Sequence, residues 1–245
     1  MGFYIALLFL TRIPLPQVML DEKKIASAVP FFPLVGSTIG GILSFIYFLG
    51  ENILPLQVLS VIITASWVMV TGGMHIDGFA DTVDGLFCGG SRDKKLSVMK
   101  DSRIGAYGTM GVVLLLLFKV SLLSALSKRF MINALILAPT LSRWIMTYAI
   151  IGFPYVRESG LGKAFSMYKS PWHFVFSSVC AASVAIMFAK YQGIVISFLL
   201  FGAGWVFIKY IMDQLGGHTG DTYGALNELC EVIVLLFFAI LSNEG

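Results

Sequence analysis

Between residues 28 and 241 the chain returns repeatedly to runs of about twenty apolar residues, separated by polar or glycine-bearing breaks. That is the length an α-helix needs to cross the hydrocarbon core of a bilayer. Such runs can be placed at Ala28–Leu49, Leu56–Gly73, Tyr107–Leu126, Met131–Ile151, His173–Ala189, Gly193–Met212 and Ala225–Leu241. Composition agrees: 57% of the 245 residues are hydrophobic and 13% are charged, about half the charged share of a soluble domain. The chain is expected to be all-α, a polytopic membrane helical bundle of about seven spans in a single membrane-embedded domain covering 1–245. The first apolar stretch, "GFYIALLFL", is too short to span. It lacks the basic flank of a signal peptide and reads as a re-entrant or interfacial helix.

Loop charge sets the orientation. With seven spans, Arg12, Lys23, Lys24, Arg92, Lys94, Lys95, Lys100, Arg103, Arg157, Lys163, Lys169 and Lys209 fall on one side. Only Lys128, Arg129 and Lys190 fall on the other. Cytoplasmic loops carry the excess of Lys and Arg, so the first side is expected to face the cytoplasm, across a plasma (inner) membrane. Most acidic residues lie on that same side, and the outer loops are short. An active site would therefore open to the cytoplasm. Positive charge on that face suits anionic lipid or a phosphorylated substrate; nothing suggests a nucleic-acid motif. Cys88, Cys180 and Cys230 have no metal-ligand spacing and read as packing residues.

The segment "HIDGFADTVDG" from His75 carries Asp77, Asp81 and Asp84 at i, i+4 and i+7, which places them on one helix face. Three carboxylates so disposed repel one another unless a cation sits among them, and hard oxygen donors suit Mg²⁺, Mn²⁺ or Ca²⁺. A solvated acidic helix end is the plain alternative. Downstream, "SRDKKLSVMKDSRIGAYG" surrounds Asp93 and Asp101 with five cations. Arg103 and Lys100 are the phosphate candidates, whereas Lys94 and Lys95 are topological. The late loop "GGHTGDTYGALNEL" offers Gly220 backbone, His218, Asp221 and Glu228 for a phosphate-binding pocket; a capped interhelical turn is the alternative. Arg143 lies inside the fourth span, where an ionisable residue is functional or paired. It could bind phosphate or pair with an acid such as Glu231. Lys119 could snorkel to the outer face.

Together, "FLTRIPLP" from Phe9, "GGMHIDGFADTVDGLF" from Gly72, "MKDSRIGAYG" from Met99, "LSR" at Leu141–Arg143 and "GGHTGDTYGALNEL" from Gly216 resemble cobalamin synthase, the adenosylcobinamide-GDP ribazoletransferase family. The segments run in order along essentially the whole chain. The resemblance implies a membrane transferase that joins adenosylcobinamide-GDP to α-ribazole or its 5′-phosphate and releases GMP, with Mg²⁺. On this reading Asp77, Asp81, Asp84 and Asp101 hold the metal, Arg103 and Lys100 neutralise phosphate, and Asp77 or Asp221 takes the proton from the attacking hydroxyl. Membrane lipid is an expected partner, and the reading leaves room for a homo-oligomer and for association with other nucleotide-loop assembly enzymes.

A more distant likeness, to CDP-alcohol phosphotransferases, is incomplete. Asp81, Asp84 and Gly85 match their D-x-x-D-G start, but Cys88 and Gly89 replace Ala-Arg, and Ala106 stands where the last aspartate belongs. A cation-coupled transporter is a third reading, disfavoured because the carboxylates lie at one membrane face rather than mid-span.

The charge asymmetry yields the first test. A cysteine placed at Ser91 should resist a membrane-impermeant maleimide applied to intact cells and react once the cells are opened. Strong labelling from outside would overturn the orientation.

Overall fold

The computed structural model describes residues 1–243 other than Leu20, Ser159, Gly160 and Tyr168. The expected apolar stretches are helical. The helices are α1 (Gly2–Leu10), α2 (Glu22–Ala26), α3 (Phe32–Gly50), α4 (Leu56–Thr71), α5 (Met74–Phe87), α6 (Arg92–Val98), α7 (Ala106–Ala125), α8 (Lys128–Gly152), α9 (Leu161–Met167), α10 (Pro171–Leu215) and α11 (Gly220–Asn243). Among the described residues, five stretches are long and apolar enough to cross a membrane by themselves: residues 22–50, α7, α8, α10 and α11. The bent pair α4 and α5 adds a sixth if taken as one span.

The 45 residues of α10 are two limbs rather than one rod. Lys190 breaks the helix with φ 48° and ψ −124°. A Cβ on Gly193 would stand 2.2 Å from the Ala185 carbonyl oxygen, although eight residues of straight helix span about 12 Å. The chain therefore doubles back there, and the limbs match the separate stretches His173–Ala189 and Gly193–Met212. The nine residues of α1 reach only about 14 Å. This short helix buries Ile5, Ala6 and Leu10 against the bundle.

α8 is the central helix, and nearly all of its side chains from Phe130 to Ile150 are buried. It packs on α3 through a close small-residue contact. Gly36 and Gly40, four apart, face Pro139 and Ile136, and a Cβ at either position would come within 2.6 Å of the α8 backbone. Removing side chains in this way lets two membrane helices approach at the backbone, where van der Waals packing is strongest. Ser37 and Thr140 hydrogen-bond across the same seam at 3.1 Å. By contrast, α7 and α10 expose Leu114, Met187, Phe198 and Val206, an apolar outer surface suited to lipid.

Inside this apolar bundle lies a network of charges. The Lys119 ammonium donates to Glu228 at 2.5 Å and to Glu231 at 2.6 Å. The Arg143 guanidinium donates to the other Glu231 oxygen at 2.9 Å and to the Pro139 carbonyl at 3.0 Å. Asn227 also donates to Glu231 at 2.9 Å, and Lys119 sits 4.6 Å from the centre of the Trp67 ring. His75 lies 3.4 Å from Arg143 and 3.3 Å from Asn227 through Nδ1. Two cations and two carboxylates thus balance inside the bundle and tie α4, α5, α7, α8 and α11 together. Lys119 is buried and paired, so the expectation that it snorkels outward is corrected: two carboxylates one helical turn apart on α11 hold it inside.

The polar loops meet at one end. Arg92 donates to the Leu215 carbonyl at 2.6 Å, Arg157 donates to the Met99 carbonyl at 3.1 Å, and Arg157 pairs with Asp221 at 2.5 Å. The α5–α7, α8–α10 and α10–α11 connections therefore share a face. That face is basic.

Removing one member of a buried ion network leaves uncompensated charge and costs about 3–5 kcal/mol. Glu231→Ala, which strips both cations of a shared partner, should sharply lower the melting temperature in detergent. An unchanged melting curve would show that the network contributes nothing to stability.

Candidate active site

α4 ends where the chain must turn sharply. Gly72 and Gly73 adopt φ 66° and 70°, left-handed values open to glycine at little cost. The chain leaves α4 at 90°, so α5 crosses the basic end of the bundle instead of prolonging the span. Arg12 packs directly on Gly72, where a Cβ would lie 2.3 Å from its Nε, and the Arg12 amide donates to Val70 at 2.7 Å.

Two more glycines bring α5 against α11. A Cβ on Gly78 would meet Asp221 Cα and O at 2.9 Å, and one on Gly224 would meet the His75 carbonyl at 3.0 Å. This approach sets the α5 carboxylates beside the first turn of α11. Asp77 is exposed, Asp81 is half-buried and Asp221 stands opposite. Asp221 is held by Arg157 at 2.5 Å and by the Thr219 hydroxyl at 3.4 Å. Burial, and then the neighbouring carboxylates of Asp221 and Asp77, push the Asp81 carboxyl up to about 7 against the opposing pull of Arg157. A cation would reverse that shift. Asp77, Asp81 and Asp221 therefore form an electronegative cluster facing one guanidinium.

The cluster is too open to surround an ion by itself. Among the described residues, no three His, Cys, Asp or Glu side chains stand close enough to hold a metal by themselves. The expected four-aspartate set is thus not gathered around one point. Asp84 accepts from the Gly105 amide at 2.7 Å and from the Gly108 amide at 2.8 Å. It supplies the N-terminal cap of α7 that the side-chain-free Gly105 cannot. A Cβ on Gly105 or Gly108 would fall within 2.4 Å of that carboxylate, so the glycines of "RIGAYG" make room for Asp84. Asp101 and Arg103 pair with each other at 2.8 Å on the surface, and the Arg103 hydrogen bonds hold Asp101 down at about 2. Lys100 is exposed on the same loop.

Three expected phosphate ligands are likewise corrected. Arg143 is fully buried and paired with Glu231, the alternative left open by the sequence, and Glu228 is buried against Lys119. His218 is buried, with Nδ1 3.0 Å from the Thr222 hydroxyl and its ring stacked on Tyr223. Burial, reinforced by Lys169, pushes His218 down to about 4, so the ring is neutral. The late glycine loop is a capped turn. Gly216 ends α10 at φ 73°, and Thr219 and Thr222 exchange backbone-to-hydroxyl bonds at 2.9 and 3.2 Å to begin α11. Of the glycines in this loop, only Gly220 keeps open space beside it, where a Cβ would meet nothing within 4 Å beyond its own stretch of chain. Arg157, paired with Asp221, is the member of the candidate site that sequence reasoning missed. It looked like one loop cation among twelve, and no spacing singles it out.

Known proteins supply the remaining evidence. The family model of cobalamin-5-phosphate synthase matches residues 2–239. The adenosylcobinamide-GDP ribazoletransferase of Roseiflexus sp. (strain RS-1) is 36% identical over 231 residues, covering 94% of this chain and 86% of that one. That of Shewanella amazonensis is 38% identical over 251 residues, covering 99% and 96%, and that of Desulforamulus reducens is 34% identical over 241, covering 98% and 96%. No solved structure matches. A match across nearly the whole length, with the carboxylate helix and the late loop brought together in space, means that the chain belongs to the cobalamin-5-phosphate synthase family of adenosylcobinamide-GDP ribazoletransferases.

Proposed function

We propose that this transferase works at the Asp77–Asp81–Asp221 cluster, with Mg²⁺, on the cytoplasmic face of a plasma membrane. The observation that carries the reading is the close approach of α5 to α11 at Gly78, which sets three carboxylates against one guanidinium. The orientation rests on the loop cations, because the basic end of the bundle is also the end that bears the cluster.

The donor set fits Mg²⁺. This ion keeps several waters and is commonly bound by one or two carboxylates plus substrate phosphates, so a cluster too open to surround a metal alone is adequate. Asp81, with Asp221 opposite, would hold it. When bound, Mg²⁺ supplies charge neutralisation on the diphosphate. Asp84 and Asp101 have other partners and are not part of this set.

The reaction needs a hydroxyl of the ribazole substrate to attack phosphorus in line as GMP departs. Asp221 is already held by Arg157 and Thr219. Asp77 is exposed, and its amide donates to the Gly73 carbonyl while its carboxylate has no hydrogen-bond partner among the described residues, which favours it as the proton acceptor. Arg157 steadies Asp221 and places positive charge beside the diphosphate. Gly220 leaves room for the substrate to reach the start of α11.

Purified protein given adenosylcobinamide-GDP and α-ribazole 5′-phosphate should release GMP, and chelating Mg²⁺ should stop it. Undiminished release in EDTA would remove the metal from this account. Asp81→Asn should abolish turnover with the fold intact. Asp77→Asn should lose about 10²–10⁴-fold in rate, the usual contribution of a general base, while Mg²⁺ affinity is largely kept. A loss of Mg²⁺ affinity instead would make Asp77 a ligand.

A further inference from the structure

Between the two limbs of α10, against α8, runs an open groove of about 380 Å³. It is lined by Trp144 of α8, by Phe174, Ser178 and Ile186 of the first limb, and by Ile194 and Phe201 of the second. Ile186 and Ile194 are 51% and 44% exposed, so the groove lies on the outside of the bundle, where a spanning helix meets lipid. Phe174 and Ile186 stand twelve residues apart, about 18 Å of helix. That is more than half of the roughly 30 Å hydrocarbon core. The groove suits a long guest, not a compact one.

Its polar groups are already engaged. The Trp144 indole donates to the Ser178 hydroxyl at 2.9 Å, and the Ser197 hydroxyl donates to the Gly193 carbonyl at 2.7 Å. A polar guest would exchange water for an apolar wall, which is costly. A hydrocarbon tail would not.

The basic end of the groove carries two ammonium groups. Phe174 and Phe201 both pack on Tyr148, with ring centres 5.2 and 4.9 Å away, and Tyr148 packs on Phe153 at 5.5 Å. The lysines converge on Phe153. Lys169 donates to its carbonyl, and the Lys209 ammonium lies 6.0 Å from its ring and 5.7 Å from that of Trp205. Both lysines are exposed, and neither has a carboxylate partner among the described residues. Two unpaired cations attract a headgroup with net negative charge. A zwitterionic headgroup brings a cation of its own.

The depth agrees. Lys209 lies fifteen residues beyond Ile194, about 22 Å along the limb, which is one leaflet of a bilayer about 40–45 Å thick. Trp172 and Trp205 are exposed at the same end, as tryptophans are where a helix passes the headgroups. The far end of the groove has one cation, Lys190 at the break.

We infer that this groove is a binding site for an anionic phospholipid of the leaflet at the basic end. Its acyl chain lies against Trp144, Phe174 and Phe201, and its phosphate between Lys169 and Lys209. The site abuts the chain that builds the carboxylate cluster. Pro154 and Val156, just beyond Phe153, pair with His218 through backbone bonds at 2.8 and 2.9 Å.

Native mass spectrometry of the full-length protein in detergent tests this without turnover. The probes are phosphatidylglycerol and phosphatidylcholine with the same chains, at equal concentration. One phosphatidylglycerol should be retained in preference. Replacing both lysines, Lys169→Gln with Lys209→Gln, should cut that preference about 10- to 30-fold, the combined effect of two lysines at an anionic surface. Ala182→Phe fills the groove from an exposed position on its wall and should weaken retention of both lipids. Lys190→Gln at the far end, and Lys94→Gln elsewhere on the basic face, should change nothing. Glycerol 3-phosphate, an anion without a tail, should not displace the lipid. Equal retention of the two lipids would overturn the inference. So would a preference that survives loss of Lys169 and Lys209 but not of Lys190 or Lys94, or retention untouched by Ala182→Phe. Displacement by glycerol 3-phosphate would make this a phosphate site without a tail and overturn it too.

Discussion

Glu231 is the residue on which the bundle converges. Its two oxygens are shared between Lys119 and Arg143, and a bare charge in that apolar interior would be prohibitive. Each partner comes from a different helix, so the need to neutralise charge fixes α7, α8 and α11 relative to one another. His75 extends the constraint to the first turn of α5 through Arg143 and Asn227. The carboxylates begin two residues later. A network inside the membrane thus sets the position of a helix whose carboxylates lie at the surface. The energy is local, but the geometric consequence reaches the site.

Glycines transmit that geometry. Gly36 and Gly40 let α3 reach α8, Gly78 and Gly224 let α5 reach α11, and Gly105 and Gly108 admit the Asp84 carboxylate to the start of α7. The motifs that mark the family are therefore partly structural. "RIGAYG" and "GGHTGDTYG" resemble phosphate loops in sequence, yet one receives an aspartate cap and the other is closed by a pair of threonines. What they leave open is the space beside Gly220.

Much of this was legible in the sequence. The spans could be read because lipid demands long apolar runs, and the break near Lys190 separated two of them correctly. The α5 helix and its carboxylate face followed from i, i+4, i+7 spacing. Pairing was not legible, because it depends on which helices become neighbours. Arg143 had two readings, phosphate or Glu231, and only the packing of α8 on α11 decides. Asp84 shares a face with Asp81 but turns into α7, since the N-terminus of α7 lacks a cap of its own. Arg157 becomes distinctive only when the α8–α10 loop folds over Asp221.

The central claim is that α5 and α11 form one site only because they touch at Gly78. The most direct measurement is GMP release by Gly78→Ala, with melting temperature followed in parallel. A methyl there would press on the Asp221 backbone at 2.9 Å, and misplacing a catalytic group by about 1 Å can cost about 100-fold in rate. The account predicts a loss of that order in protein that still folds. Turnover near that of the unaltered chain would contradict it, because the carboxylates of α5 and α11 would then not be acting together.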